Sequence, residues 1–232
     1  MEPHLSEFTV SVDDRIVPVA LWEPTEPNGK VPLVLVGHGG SGHKKQAYVA
    51  AIAKGLAKHH GIAAAAIDGP VHGDRRASDD AYALNRDFAD LWNLDGANDR
   101  MNADWSGTLD HLLANGRYDA DRVGYWGLSM GTMFGLPFVA SEPRIKVAVL
   151  GLMGTHRSRL GGRLAWDATR ITKIPVLFLA QWDDELVPRA EALDLFDRLG
   201  TLDKRLTAHP GRHTEVPVDV MRASQAFLAQ RI

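Results

Sequence analysis

Short apolar runs alternate with amphipathic stretches along this chain, and the alternation predicts its architecture. Residues 8–12 and 16–22 interleave apolar and polar positions about Asp13-Asp14, the period-two pattern of an antiparallel hairpin. Residues 31–37 (Val-Pro-Leu-Val-Leu-Val-Gly) are almost continuously apolar, as expected of a strand covered on both faces. Stretches 62–67, 123–127, 146–152 and 174–180 have the same character, and 205–208 reads as a short last strand. Between them, 46–59, 103–115, 132–140, 188–199 and 216–230 are predicted helices. Residues 75–102 read as helix plus loop and 153–172 as a Gly- and Arg-rich segment, both candidates to cover a pocket. The expected fold is therefore α/β: a single domain over 1–232, with a mostly parallel central sheet, helices on both faces and an N-terminal antiparallel hairpin. Right-handed crossovers would place the loops that follow the strands along one edge.

Composition narrows the function classes. The 232 residues are 45% hydrophobic and 24% charged, enough to bury the core of one domain. A formal charge of −3 without a basic run argues against nucleic acid as a partner. No apolar run approaches a membrane span, and Met1-Glu2-Pro3-His4 does not begin a secretory leader. The chain has no cysteine, which removes disulfides, thiolate metal sites and a cysteine nucleophile. A cytoplasmic location is the expectation.

The candidate chemistry is centred on Gly127-Leu128-Ser129-Met130-Gly131, a G-x-S-x-G turn between a buried strand and a helix. That order is the one a nucleophile elbow requires, with glycines two residues either side of the serine because the turn is too tight for side chains. A serine hydroxyl needs a base, and the base needs a third group to hold its tautomer. On an elbow of this type the acid and then the histidine follow in sequence. The acids are Asp183, Asp184 and Glu185; the histidines are His209 and His213. Asp184 is preferred to Asp183, because a turn tucking Leu186 and Val187 inward would hold it beside the histidine loop. Asp183 and Glu185 are then acids near a helix N-terminus. His213, beyond Pro210-Gly211, is preferred to His209. Oxyanion donors are expected from the backbone N–H of Met130 and from the His38-Gly39-Gly40 turn, with Gly40 first and Gly39 next. His38 reads as a structural hydrogen-bonder.

Taken together, His38-Gly39-Gly40, Asp68-Gly69-Pro70-Val71-His72-Gly73, the elbow, Asp184-Glu185-Leu186-Val187-Pro188 and His213 resemble the α/β-hydrolase superfamily, from about Leu33 to the C-terminus. The compact size is similar to the dienelactone hydrolase-like and small serine esterase branch. One departure matters: dienelactone hydrolases proper use cysteine, whereas this chain has Ser129, so an ordinary ester is the expected substrate. The resemblance implies a hydrolase without a cofactor.

Other residues carry weaker signals. His59-His60, His38 with His43, and the 183–185 acids lack zinc-site spacing, so no metal is expected. Asp68, His72 and Asp74 read as bonded within their own loop, with a role in shaping the oxyanion turn as the alternative. Trp182, Gly39 and Met130 are candidates to touch substrate, and Trp92, Trp105, Trp166, Met133 and Met153 candidates for a pocket wall. Arg157, Arg159, Arg163, Arg75 and Arg76 read as solvated, or as partners for a substrate carboxylate. The leading reading is a serine hydrolase of small or medium acyl esters working through an acyl-enzyme. The alternatives are an acyltransferase, peptidase or other amide or carbon–carbon bond hydrolase with the same triad, and a non-catalytic ligand-binding protein.

Overall fold

The computed structural model describes residues 1–232 apart from 79, 81–85, 88–89, 91–95 and 156–158, and describes only the backbone of 159–162. Its strands are β1 (His4–Val12), β2 (Arg15–Glu23), β3 (Val31–Gly37), β4 (Ala63–Ile67), β5 (Tyr118–Gly127), β6 (Ile145–Gly151), β7 (Val176–Gln181) and β8 (Lys204–His209). Its helices are α1 (Ala47–His60), α2 (Ala97–Ala114), α3 (Met130–Ser141), α4 (Arg159–Arg170), α5 (Arg189–Arg198) and α6 (Val218–Ala229). The described strands form one sheet in the order β1-β2-β4-β3-β5-β6-β7-β8. β1 pairs with β2 and β2 with β4 antiparallel; every other pairing is parallel.

Why β3 is apolar at successive positions is clear from its two faces. Leu33 and Leu35 enter one core with Trp105 of α2, Phe134 of α3, Leu164 of α4 and Leu195 of α5. Val34 and Val36 enter the other with Ile52 and Leu56 of α1 and Phe227 of α6. Each such side chain contributes about 1.5–3 kcal/mol by leaving water, so both faces demand apolar residues.

Where boundaries depart from expectation, polar residues explain it. β1 starts at His4 rather than Phe8 because it is an edge strand, and its outer positions meet solvent. β5 starts five residues early: Tyr118 pairs with Val31 and its buried hydroxyl donates to Glu23. α2 begins at Ala97, not 103, since its buried face mixes Asn98, Asp104 and Thr108 with Met101 and Trp105 and so dilutes the apolar period. The 153–172 stretch holds a helix, α4. It turns Leu164 and Ala168 inward, and Ile171 just past its end is buried as well. Buried Asp167 on the same helix is neutralised by Arg163 and Arg170.

From β3 the chain steps to β4 on one side, then crosses to β5 on the other. Loops leaving β3 and β5 therefore diverge, opening a crevice at their C-terminal ends. Gly37 and Gly127, the last residues of these strands, are register partners. The His38-Gly39-Gly40 turn and the serine elbow thus start side by side.

Candidate active site

Ser129 lies between β5 and α3 at φ 57°, ψ −121°. A non-glycine residue held there stores about 1–3 kcal/mol of backbone strain. Two glycines make the turn sterically feasible: a Cβ on Gly127 would stand 2.7 Å from Gly131 O, and one on Gly131 2.7 Å from Gly37 O. Hydrogen bonds brace the elbow against β6. Ser129 N–H donates to Gly151 O at 3.0 Å. The buried Thr132 hydroxyl accepts the Gly151 N–H at 2.8 Å and lies within 2.8 Å of the Gly127 and Gly151 carbonyls.

Ser129, His213 and Asp184 are brought into one hydrogen-bonded chain. Ser129 Oγ is 2.8 Å from His213 Nε2, and His213 Nδ1 is 2.8 Å from Asp184 Oδ2. A carboxylate only accepts, so Nδ1 carries the hydrogen and, in the neutral ring, Nε2 is free to take the serine proton. Asp184 Oδ1 accepts the N–H groups of Leu186 at 2.8 Å and Val187 at 2.9 Å. Burial pushes the Asp184 carboxyl up. The His213 bond and the two backbone donors outweigh it and hold the group below its ordinary value.

Asp183 and Glu185, expected as acids near a helix N-terminus, clasp the histidine loop. Asp183 Oδ2 accepts Gly211 N–H at 3.0 Å while Asp183 N–H donates to Gly211 O, and Glu185 Oε2 accepts His213 N–H at 3.0 Å. His209 ends β8, its carbonyl accepting Trp182 N–H at 2.7 Å. Of the pair expected to tuck inward, Val187 is buried but Leu186 is 60% exposed, because the Asp184 side chain itself closes the turn.

Across the crevice, the N–H groups of Gly131, Thr132 and Met133 are taken by Leu128 and Ser129 carbonyls. Those of Met130 and Gly40 have no acceptor among the described residues. Gly39 differs: its N–H donates to the Tyr48 hydroxyl, which removes it as an oxyanion donor. His38 Nδ1–H donates to Gly39 O at 2.8 Å, and Nε2 accepts Gly69 N–H at 2.8 Å. Burial is the main cause that lowers His38 to about 4, so this ring is neutral at physiological pH. Beneath it, Lys44 bridges Asp68 at 2.8 Å and Asp74 at 2.6 Å, tying the turn to the loop after β4. Lys44 and Asp68 are buried.

Set beside solved structures, the chain is 42% identical to a PEG-bound cold-adapted esterase from an Arctic intertidal metagenomic library, with a TM-score of 0.86 over 100% of this chain and 95% of that one. The chain belongs to this esterase family of α/β-hydrolases. A zinc-bound structure of a cold-adapted esterase from such a library is 40% identical, with a TM-score of 0.81 over 99% and 94% of the two chains. A dienelactone hydrolase from Anabaena variabilis ATCC 29413, 20% identical with a TM-score of 0.71 over 100% and 97%, shares the fold. No family model matches the chain, and no curated protein does.

The remaining candidates in this esterase separate by burial and partner. Trp105 is packed against Tyr125 and Phe138, and the Met133 and Met130 side chains are likewise buried, so these are core. Trp182 presents its ring to Arg189, whose guanidinium lies 4.6 Å from the ring centroid. Arg163 is spent on Asp167 and Asp99, and Arg75 on Asp104. Trp92 and Arg157 lie outside the described residues, as does the Arg159 side chain. No cluster of three metal-ligating side chains occurs among the described residues, and no described helix is long and apolar enough to cross a membrane. A cavity of about 290 Å³ opens beside the loop after β4, between Arg15, Ile16, Pro70, Arg75 and Arg100. Tyr48 and Thr132 carry no motif, which is why sequence reasoning missed them.

Proposed function

We propose that this esterase hydrolyses carboxylic esters of small or medium acyl chain through an acyl-enzyme on Ser129. The observation that carries the reading is the continuous chain from Ser129 Oγ through the His213 ring to Asp184. As Oγ attacks the ester carbonyl, His213 Nε2 takes its proton, and the Asp184 carboxylate stabilises the imidazolium. The carbonyl oxygen becomes an oxyanion between the N–H groups of Met130 and Gly40, on the positive end of α3. Imidazolium then protonates the departing alkoxide, leaving Ser129 acylated. Water enters, gives its proton to His213 and its oxygen to the acyl carbon; collapse releases the carboxylic acid and returns the proton to Ser129. The identity to cold-adapted esterases supports an ester as the scissile group. Hydrolysis of p-nitrophenyl acetate and butyrate by wild type and Ser129→Ala tests this. Equal rates from the two proteins would remove Ser129 as the nucleophile.

A further inference from the structure

The donor at Gly40 raises a physical problem. Glycine has the widest choice of φ and ψ of any residue, yet an oxyanion donor must be aimed before the charge develops. Consecutive peptide planes around Gly40 are each held by a side chain. The 38–39 plane is held by its N–H, which donates from Gly39 to the Tyr48 hydroxyl. The 39–40 plane is held by its carbonyl, which accepts from His38 Nδ1 at 2.8 Å and from Gly42 N–H at 3.0 Å. In a trans peptide the N–H points opposite the carbonyl, so these bonds turn the Gly40 N–H outward. The 40–41 plane is held by His72, whose Nε2 is 2.7 Å from Gly40 O. His72 is buried, and its Nδ1 lies 2.7 Å from Pro70 O. A carbonyl only accepts, so the ring nitrogen that holds Gly40 O does so as N–H.

We infer that His72 is a positioning residue for the oxyanion hole: by holding the Gly40 carbonyl from the loop after β4, it fixes the second of the two planes that set the φ and ψ of Gly40. Its contribution is confined to the transition state, since only there does the oxygen carry the charge that the Gly40 N–H meets. This inference rests on the assignment of Ser129 as nucleophile. Loss of one whole donor costs about 10²–10³ in kcat, and a donor still present but loosely aimed costs less.

The test compares wild type, His72→Gln, His72→Leu and Tyr48→Phe, with rates normalised to sites that react with a fluorophosphonate. In His72→Leu, kcat per labelled site is expected to fall about tenfold to hundredfold, with KM within about twofold. Affinity for a trifluoromethyl ketone, whose adduct carries the oxyanion, should fall by the same factor as kcat. Glutamine retains a donor and restores part of the rate; Tyr48→Phe, acting on a different plane, lowers kcat in the same manner. Unchanged kcat per labelled site in the His72 variants, or a loss of melting temperature and labelled fraction alone, overturns the positioning role. Should His72→Leu fail to fold, His72→Gln and Tyr48→Phe still decide, because a purely structural role leaves the ketone affinity of their folded fraction at the wild-type value. A Ser129→Ala protein that turns over esters would instead sink the nucleophile assignment, whatever the His72 variants do.

Discussion

Asp184→Asn changes one atom and should nearly silence the enzyme. The outcome depends on which way the amide faces. Asp184 Oδ1 accepts two backbone N–H groups, from Leu186 and Val187, whereas among the described residues Oδ2 meets His213 Nδ1 alone. The asparagine therefore keeps its oxygen on the two backbone donors and turns its NH₂ toward the ring, since the opposite choice sets NH₂ against two N–H groups. Facing a donor, Nδ1 must accept, and the hydrogen moves to Nε2, where the Ser129 proton would have to go. A histidine locked in the wrong tautomer costs about 10⁴-fold in kcat, or about 5 kcal/mol of barrier. Because the backbone bonds of the turn survive, melting temperature and KM should change little. Steady-state hydrolysis of p-nitrophenyl butyrate by wild type and variant measures the ratio, with thermal unfolding as the control. A folded Asp184→Asn enzyme within tenfold of wild-type kcat would refute the tautomer argument.

Much of this site was legible because its requirements are local. An elbow needs Gly127 and Gly131 at fixed offsets from Ser129, and a strand covered on both faces must be apolar throughout, so β3, β4 and β6 declare themselves. Preference for Asp184 over Asp183 followed from the turn at 184–188, although only Val187 of the expected pair is buried. What stayed hidden was tertiary. Asp183 and Glu185 look like helix-terminal acids until β7 and β8 are known to be neighbours, which sets their loops side by side. Tyr48 is nine residues from Gly39, and nothing in that spacing announces that its hydroxyl removes the Gly39 N–H from use. The early start of α2 escaped notice because Asn98 and Asp104 occupy buried positions where apolar residues mark a helix face.

Three further outcomes follow from the packing. Gly131→Ala places a Cβ 2.7 Å from the Gly37 carbonyl, backbone that cannot swing away. Overpacking should destabilise by about 1–3 kcal/mol, and an elbow displaced by roughly 1 Å loses about 10² in kcat; a variant with wild-type melting and rate would contradict the contact. His38 is pushed from 6.5 to about 4, mainly by burial, so the unfolded chain binds a proton that the folded one refuses between those values. Its contribution to stability is complete above pH 6.5 and is lost as pH falls toward 4, by about 3 kcal/mol. Urea midpoints across that window should drop less steeply for His38→Gln, and identical slopes would count against the neutral ring. Lys44→Met leaves Asp68 buried without its cation, a loss of about 3–5 kcal/mol in urea unfolding; a change under 1 kcal/mol would mean the pair contributes no net stability.

The most direct test of the whole account is where the acyl group sits during turnover. Acid-quenching wild-type protein during p-nitrophenyl butyrate hydrolysis, followed by peptide mass spectrometry, should find one butyryl group, on the peptide containing Ser129, and none in Ser129→Ala. Active protein carrying no acyl group, or one carrying it on another residue, would contradict the mechanism.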